Sequence, residues 1–170
     1  HVTGVQTCSL PIYFARITIG RESFVQQIKE ISERYVFDHA RLILEITEDA
    51  MELNKETAFS NVSQCKEMGF LIALDDAGSG FSSFADLRDY PIDIVKIDRS
   101  FVQGLCGSAF DHSFVHLMVE LCHSVGIRVC VEGVETTAEL AALQPFGADY
   151  LQGFLLGHPE PAARFAPLFL

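Results

Sequence analysis

The stretch Leu71-Ile72-Ala73-Leu74-Asp75-Asp76-Ala77-Gly78-Ser79-Gly80 decides the fold that we predict for this chain. An apolar run ends at two adjacent carboxylates, and a glycine-rich turn follows. A short, unbroken apolar run that is bounded by a turn is typical of a strand buried on both faces. We therefore interpret the stretch as a buried parallel strand with acidic side chains at its carboxyl end.

Four other segments repeat this pattern, in which an apolar run ends on a charged or amide side chain. They are Leu42–Glu45, Ile92–Lys96, Val129–Glu132 and Tyr150–Gln152. Parallel strands present their carboxyl ends at one edge of a sheet or at one mouth of a barrel. We therefore expect the polar ends of all five segments to lie on a common rim.

Helical patterns alternate with these strands. The predicted strands are Phe14–Ile19, Arg41–Ile46, Phe70–Asp75, Ile92–Ile97, Arg128–Glu132 and Asp149–Phe154. The predicted helices are Glu22–Tyr35, Met51–Met68, Ser82–Arg88, Phe110–Val125, Thr136–Leu143 and Ala162–Phe169. On the longest helix we expect the apolar face of Phe114, Leu117, Leu121 and Val125 to be buried. His112, His116, Glu120 and His123 form a stripe that could bind a metal, but we expect it to be solvated surface.

The alternation of strands and helices fits either a doubly wound sheet or part of a (β/α)8 barrel. Polar ends on many strands favour the barrel, because a doubly wound sheet concentrates them at one switch point. A full barrel takes about 250 residues. We therefore predict an α/β fold, a partial barrel of about six βα units without its first two strands. Residues 1–12 are interpreted as a non-native leader, and residues 13–170 as the incomplete domain.

Composition excludes some functions. Lys and Arg number 12 against 23 Asp and Glu, for a net charge of −11, which disfavours binding to nucleic acid or to an anionic membrane surface. No apolar run is long enough to span a membrane. The five cysteines, at positions 8, 65, 106, 122 and 130, include no Cys-x-x-Cys pair. We expect reduced thiols in a cytoplasmic chain, or in the cytoplasmic part of a larger sensor.

The charge on the predicted rim indicates bound cations. Glu45, Asp75, Asp76 and Glu132 against Lys96 leave a net charge of −3, which two divalent ions would change to +1. A dry cluster of this charge requires protonation or a cation. Carboxylate and amide oxygens favour Mg²⁺ or Mn²⁺ over Zn²⁺. A pair of such ions suits displacement at phosphorus. The alternative for any one of these carboxylates is a helix cap.

Five motifs in order resemble the EAL domain, a family of cyclic di-GMP phosphodiesterases with a modified (β/α)8 barrel. They are Leu44–Glu48, Asp75–Ser83, Val95–Val102, Glu132–Thr136 and Leu151–Phe154. The resemblance runs from about Phe14 to the C-terminus. It implies hydrolysis of cyclic di-GMP to linear pGpG by a water activated at a two-metal site. A P-loop reading of Gly78–Gly80 fails because no Gly-Lys-Ser/Thr follows.

The resemblance also implies roles for individual residues. Glu45, Asp75 and Asp76 would bind the metals, Glu132 would hold or deprotonate the water, and Lys96 would orient it. Gln152 would donate a hydrogen bond near the site. Glu48 would anchor the loop 77–83, which couples the metal site to homodimerisation together with the neighbouring helix. Asp98, Glu135 and Gly78 are supporting positions in the matched motifs.

Three departures from the family pattern bear on activity. The Glu-Ala-Leu triplet, whose glutamate binds metal, is absent, and the sequence upstream of residue 13 is unrelated to it. Thr18 occupies the position of a metal-binding Asn, and Ala77 replaces a loop aromatic. The chain is thus either an incomplete phosphodiesterase that is weak or inactive, or a degenerate module that binds cyclic di-GMP or dimerises without catalysis. Another metal-dependent barrel hydrolase is a third reading, against which the motif order argues.

Overall fold

A computed structural model describes residues 10–13, 19–35, 38–47, 54–78 and 88–158 of the chain, the first of these segments as backbone only. Within these residues the fold is α/β, with one parallel sheet covered by helices. The predicted fold class is confirmed. The predicted helix Ala162–Phe169 and nearly all of Ser82–Arg88 lie outside the described residues.

The sheet has six parallel strands, and their spatial order is their order in the chain. The strands are β1 (Leu10–Tyr13), β2 (Leu42–Thr47), β3 (Leu71–Ala77), β4 (Ile94–Ile97), β5 (Arg128–Val131) and β6 (Tyr150–Leu151). Sequential neighbours joined by crossovers of one hand are the arrangement of a barrel wall rather than of a doubly wound sheet. This order brings the carboxyl ends of all six strands to one edge.

The helices follow the strands as predicted, with one addition. They are α1 (Phe24–Arg34), α2 (Lys55–Glu67), α3 (Arg99–Gly104), α4 (Ala109–Ser124) and α5 (Thr137–Leu143). Short 3-10 helices cover His39–Arg41 and Gln144–Phe146. Helix α3 was not expected, because six residues give too little periodicity to read.

Local signals fix the helix ends. Helix α5 begins at a capping box, in which Thr136 accepts from the Glu139 amide while the Glu139 carboxylate accepts from the Thr136 amide. Helices α2 and α4 are followed by Gly69 and Gly126 at φ of 95° and 78°. Glycine adopts this left-handed backbone without the steric penalty of a Cβ atom, so the chain turns sharply towards the next strand after each of these helices.

The apolar core has two parts on opposite faces of the sheet. The larger lies between the sheet and the helices, and includes Phe24, Val95, Val115 and Val129. The smaller lies on the inner face of the curved sheet and consists of Ala73, Ile94 and Cys130, with Ile43 and Tyr150 packed against it. Side chains alternate along a strand, so the residues two positions further on, at the carboxyl ends, extend above this inner cluster.

The first strand departs from the prediction. We expected Phe14–Ile19, whereas β1 is Leu10–Tyr13 and pairs with β2 from Leu10↔Leu42 to Tyr13↔Glu45. Pro11 concealed the strand, because proline inside a pattern argues against pairing on both sides. Residues 10–12 belong to the sheet and not to the predicted leader, while the domain boundary otherwise stays a prediction. Residues 14–18 lie outside the described residues.

The phase of α4 also departs from the prediction. The residues that it buries are Val115, Met118, Val119 and Cys122. Of the face predicted to be buried, Phe114 is partly buried against the core, whereas Leu117 is 62% and Val125 58% exposed. The histidine stripe is largely exposed, as expected, with His112, Glu120 and His123 open to solvent, and the rings of His112 and His116 also pack edge-on against Phe146.

Two expectations from composition can be compared with the described part of the chain. Cys65, Cys122 and Cys130 are buried free thiols, and Cys106 is an exposed one. None of the described helices is long and apolar enough to cross a membrane.

Candidate metal and phosphodiester site

The site is built around one buried lysine. The Lys96 ammonium on β4 lies 2.9 Å from Glu45 Oε2, 2.8 Å from Asp75 Oδ1 and 2.8 Å from Glu132 Oε1. The Lys96 and Glu45 side chains are both 4% exposed. These residues come from β2, β3, β4 and the end of β5, so the predicted convergence of strand ends is observed. The lysine neutralises part of a negative charge that could not otherwise be buried.

A β-bulge brings both aspartates of β3 to the rim. The pairing of β3 with β4 passes from Leu74↔Val95 to Ala77↔Ile97, so Asp75 and Asp76 stand opposite Lys96 alone. Asp76 has φ 56°, the left-handed region that aspartate tolerates better than most residues. In a regular strand, neighbouring side chains would point to opposite faces. The bulge removes this alternation and places the second carboxylate beside the first.

The donor set fits a hard divalent cation. One carboxylate oxygen each from Asp75, Asp76 and Glu132 can be chosen so that all lie within 4.8 Å of one another. Oδ1 of Asp75 is buried and, although 2.8 Å from the Lys96 ammonium, accepts no hydrogen bond of good geometry. A buried carboxylate oxygen with an unused lone pair is a ready metal ligand. An all-oxygen set is typical of Mg²⁺, Mn²⁺ or Ca²⁺.

Crowding changes the acidity of the cluster. Burial, together with repulsion from Asp75 and Glu45, raises the pKa of Glu132 above its ordinary 4.5, although Lys96 opposes the change. Partial burial and repulsion from Asp75 and Asp98 raise the pKa of Asp76 above 3.8. Burial alone would lower the pKa of Lys96, but its three carboxylate partners outweigh burial and raise it. The lysine is therefore a permanent cation, whereas Glu132 holds a proton more readily than a surface glutamate.

The supporting residues occupy different positions. Gln152 continues β6, since its backbone amide donates to the Val131 carbonyl and its backbone carbonyl accepts from the Val134 amide. Side chains alternate along a strand, so Gln152 lies on the same face of the sheet as Tyr150, two residues earlier. Asp98 caps α3 by accepting from the Ser100 amide at 2.9 Å.

Glu135 is exposed and lies at the start of the α5 capping box, beyond the carboxylates. Thr18 and Glu48 lie outside the described residues, as does the loop beyond Gly78, so their predicted roles stay predictions.

The start of that loop contacts helices α3 and α4. Gly78 has φ 92°, and a Cβ added there would lie 2.7 Å from Phe114 and 2.9 Å from Phe101. These two rings stack with centroids 4.1 Å apart. The contact of these two aromatics with Gly78 was not predicted from the sequence. The glycine directly after Asp75-Asp76-Ala77 is a signal of it, because glycine often marks a place where another group approaches the backbone closely. The contact connects β3, which carries Asp75 and Asp76, to the helix that carries the exposed apolar face.

Comparison with known proteins agrees with this geometry. The sequence profile of the EAL domain matches residues 6–159. The chain belongs to the EAL domain family. It is 34% identical over 152 residues to cyclic di-GMP phosphodiesterase PdeB of Shewanella oneidensis, a match that covers 89% of this chain and 18% of that protein. It is 31% identical over 163 residues to cyclic di-GMP phosphodiesterase NbdA of Pseudomonas aeruginosa, covering 96% of this chain and 21% of the relative.

Solved structures agree in fold. The PaMucR phosphodiesterase in complex with c-di-GMP superposes with a TM-score of 0.87 at 30% identity, covering 92% of this chain and 64% of that chain. The EAL domain of Mycobacterium smegmatis DcpA gives 0.87 at 30% identity, covering 94% of this chain and 72% of that one. This EAL chain thus spans about a fifth of the curated relatives named above and about two thirds of these solved chains.

Replacing the central lysine tests the electrostatic account. We expect Lys96→Met to lower the free energy of unfolding by about 3–5 kcal/mol near neutral pH, because three carboxylates lose their buried partner. Without the lysine, which lowers the pKa of Glu132, that pKa rises further in the folded state, and an acid with a raised folded-state pKa costs stability as pH increases. The deficit should therefore shrink on acidification towards about pH 5. Urea unfolding of the parent and of the variant, near neutral pH and at about pH 5, measures this difference in the free energy of unfolding.

The control for this substitution is Arg88→Met, which removes the exposed pair of Arg88 with Asp89 at 3.0 Å. A solvated pair contributes about 1 kcal/mol or less. Equal losses in the two variants, or a deficit in Lys96→Met that grows on acidification, would contradict the buried-charge account.

Cation binding should be linked to protons. Ligand carboxylates must be deprotonated, and the pKa of Glu132 lies above its ordinary 4.5 and that of Asp76 above 3.8. We expect the affinity for Mg²⁺ or Mn²⁺ to fall as the pH is lowered. The fall should begin above pH 4.5, because Glu132 takes up a proton there. Calorimetry in two buffers of different ionisation enthalpy should detect protons released on binding. Glu132→Gln should weaken binding, whereas Glu135→Gln should not, and equal effects would contradict the assigned ligands.

Proposed function

We propose that this chain is a metal-dependent phosphodiesterase module that hydrolyses cyclic di-GMP to linear pGpG. The observation that carries the proposal is the convergence of Asp75, Asp76 and Glu132 around Lys96, in a chain whose named relatives are cyclic di-GMP phosphodiesterases. The cation is Mg²⁺ or Mn²⁺, and by family resemblance the site would hold two.

The residues divide the chemistry among them. Asp75, Asp76 and Glu132 would hold the cation, with Glu45, 2.9 Å from Lys96, as a further carboxylate. The bound cation would lower the pKa of a water molecule and offset charge on the phosphate. A water oxygen would form the new bond to phosphorus as the P–O3′ bond breaks, Glu132 would take the water proton, and the released O3′ would take a proton from solvent. Lys96 orients this carboxylate and stabilises negative charge that develops at phosphorus.

A second candidate is a non-catalytic EAL module that binds cyclic di-GMP or mediates dimerisation. Thr18, at the position where the family has a metal-binding Asn, favours it. Under either candidate we propose a cytoplasmic setting, which is supported by the absence of disulfide pairing among the described cysteines, Cys65, Cys106, Cys122 and Cys130.

Activity and binding should be measured on the same preparation. Titration with cyclic di-GMP in Ca²⁺ reports binding, and chromatography after incubation with Mn²⁺ reports pGpG. We expect binding, with turnover below the roughly 1–10³ s⁻¹ of ordinary enzymes, because Thr18 is a weak neutral ligand. Any pGpG should disappear in Glu132→Gln and persist in Glu135→Gln.

The outcomes separate the candidates. Metal-dependent pGpG that Glu132→Gln abolishes supports the enzyme. Binding without pGpG, under all metals, supports the non-catalytic module. A chain that neither binds nor hydrolyses cyclic di-GMP contradicts both.

We further propose a homodimer through the loop 77–83 and helix α4. Its support is the exposed apolar face of α4, where Phe110 is 71%, Leu117 62% and Leu121 44% exposed. A contiguous apolar face of this kind marks an interaction surface. The contact of Gly78 with Phe114 places the start of the loop against the same helix.

Substitution on this face tests the dimer. Leu117→Glu or Leu121→Glu should shift the chain towards monomer, because a charge would be buried without a partner. Light scattering coupled to size-exclusion chromatography measures the mass. The control is Gln103→Glu, an equally exposed change of charge on α3. A monodisperse monomer for the unsubstituted chain would contradict the proposal.

A further inference from the structure

Two histidines on α4 converge on one phenyl ring, away from the carboxylate site. The centroid of the His112 ring lies 4.7 Å from that of Phe146 at an interplanar angle of 85°, and the His116 ring lies 5.2 Å away at 65°. Phe146 belongs to the 3-10 helix Gln144–Phe146 and is buried. Both imidazoles therefore lean to the same side of the helix, and neither is a freely rotating surface group.

The spacing of the pair suits chelation. Side chains four residues apart in a helix have Cβ atoms about 5–6 Å apart, so two imidazoles at these positions can direct one nitrogen each to a shared point. Both histidines line a surface groove of about 340 Å³, together with Ser113, Leu117, Pro145 and Phe146. The groove leaves room for a cation with its remaining water ligands.

Neighbouring groups leave the two imidazoles available. Glu120 Oε1 lies 4.0 Å from His116 Nε2, which is too far for a hydrogen bond. His123, on the same stripe, is occupied elsewhere, since its Nε2 lies 2.9 Å from Asp149 Oδ2. That aspartate also accepts from the Val129 amide at 2.7 Å. The available donors are thus His112 and His116, because Glu120 lies two turns of the helix from His112.

We propose that His112 and His116 form a binding site for a late first-row divalent metal, such as Zn²⁺ or Cu²⁺, on helix α4. Neutral imidazole suits these ions and not Mg²⁺ or Ca²⁺, which take oxygen ligands. The site is chemically distinct from the all-oxygen set of Asp75, Asp76 and Glu132, so the chain would sort two classes of cation. Leu117, which lines the same groove, also belongs to the exposed apolar face of α4, so the metal would lie at the border of that face.

Copper is the sharpest probe, because its electron paramagnetic resonance spectrum reports the ligand atoms. With the untagged full chain, excess Mg²⁺ to fill the carboxylate site, and one equivalent of Cu²⁺, we expect hyperfine coupling to two imidazole nitrogens. His112→Ala and His116→Ala should each reduce the coupling to one nitrogen, and the double variant should abolish it. His158→Ala, an exposed histidine that stacks on Phe154, should leave the spectrum unchanged.

His1, which lies outside the described residues, is a second control, because it offers another imidazole to copper. In His1→Ala the two-nitrogen coupling should persist. A spectrum with oxygen ligands only, or coupling that survives in the His112→Ala/His116→Ala variant, overturns the proposal. Alanine is the strongest helix former, so these variants should retain the helical circular dichroism of the parent.

A second readout uses Zn²⁺ without copper chemistry. In excess Mg²⁺, Zn²⁺ should raise the unfolding temperature of the parent and of His158→Ala, because a ligand of the folded state stabilises it. It should leave that of the double variant unchanged, and equal shifts in all three overturn the proposal. Neither readout depends on cyclic di-GMP, so failure here is separate from failure of the proposed phosphodiesterase.

Discussion

The fold of this chain converges on one buried ammonium group. Lys96 lies within 2.9 Å of carboxylate oxygens from three other strand ends. Taking charges out of water costs several kcal/mol per ion, so the arrangement is stable only when the geometry of every strand is correct. The register of β2, β3, β4 and β5 is therefore under electrostatic as well as apolar constraint. A slip of one residue in any of them would move its charge from the inner face to the apolar layer beneath the helices.

The bulge in β3 connects the buried charges to the helices on the outer face of the sheet. Two aspartates opposite one lysine require the left-handed backbone at Asp76, and the chain then turns at Gly78 against Phe114 and Phe101. The aromatic pair sits on α3 and α4, which pack on the outer face of the sheet. A change in the position of α4 would therefore alter the positions of Asp75 and Asp76 through the contact of Phe114 with Gly78. Such contact is a physical basis for communication, which only a measured coupling can establish.

The sequence was informative where charge interrupts an apolar run. The ends of β2 to β5 could be predicted because Glu45, Lys96 and Glu132 have few tolerable positions other than a shared rim. The bulge could not be predicted, since it depends on which residues of β4 pair with β3. The phase of α4 was wrong because the helix is apolar around more than half its circumference. Val115 and Leu117 are both plausible core residues, and only the sheet beneath selects between them.

The cluster also constrains the order of events in the proposed reaction. Glu45, Asp75, Asp76 and Glu132 against Lys96 carry −3 when all are ionised, within a chain of net charge −11. A phosphodiester is itself an anion and would be repelled from such a rim. The raised pKa values of Glu132 and Asp76 reduce this charge only in acidic solution. Near neutral pH, cation binding must therefore precede or accompany substrate binding, and affinity for the dinucleotide should be measured with the divalent ion already present.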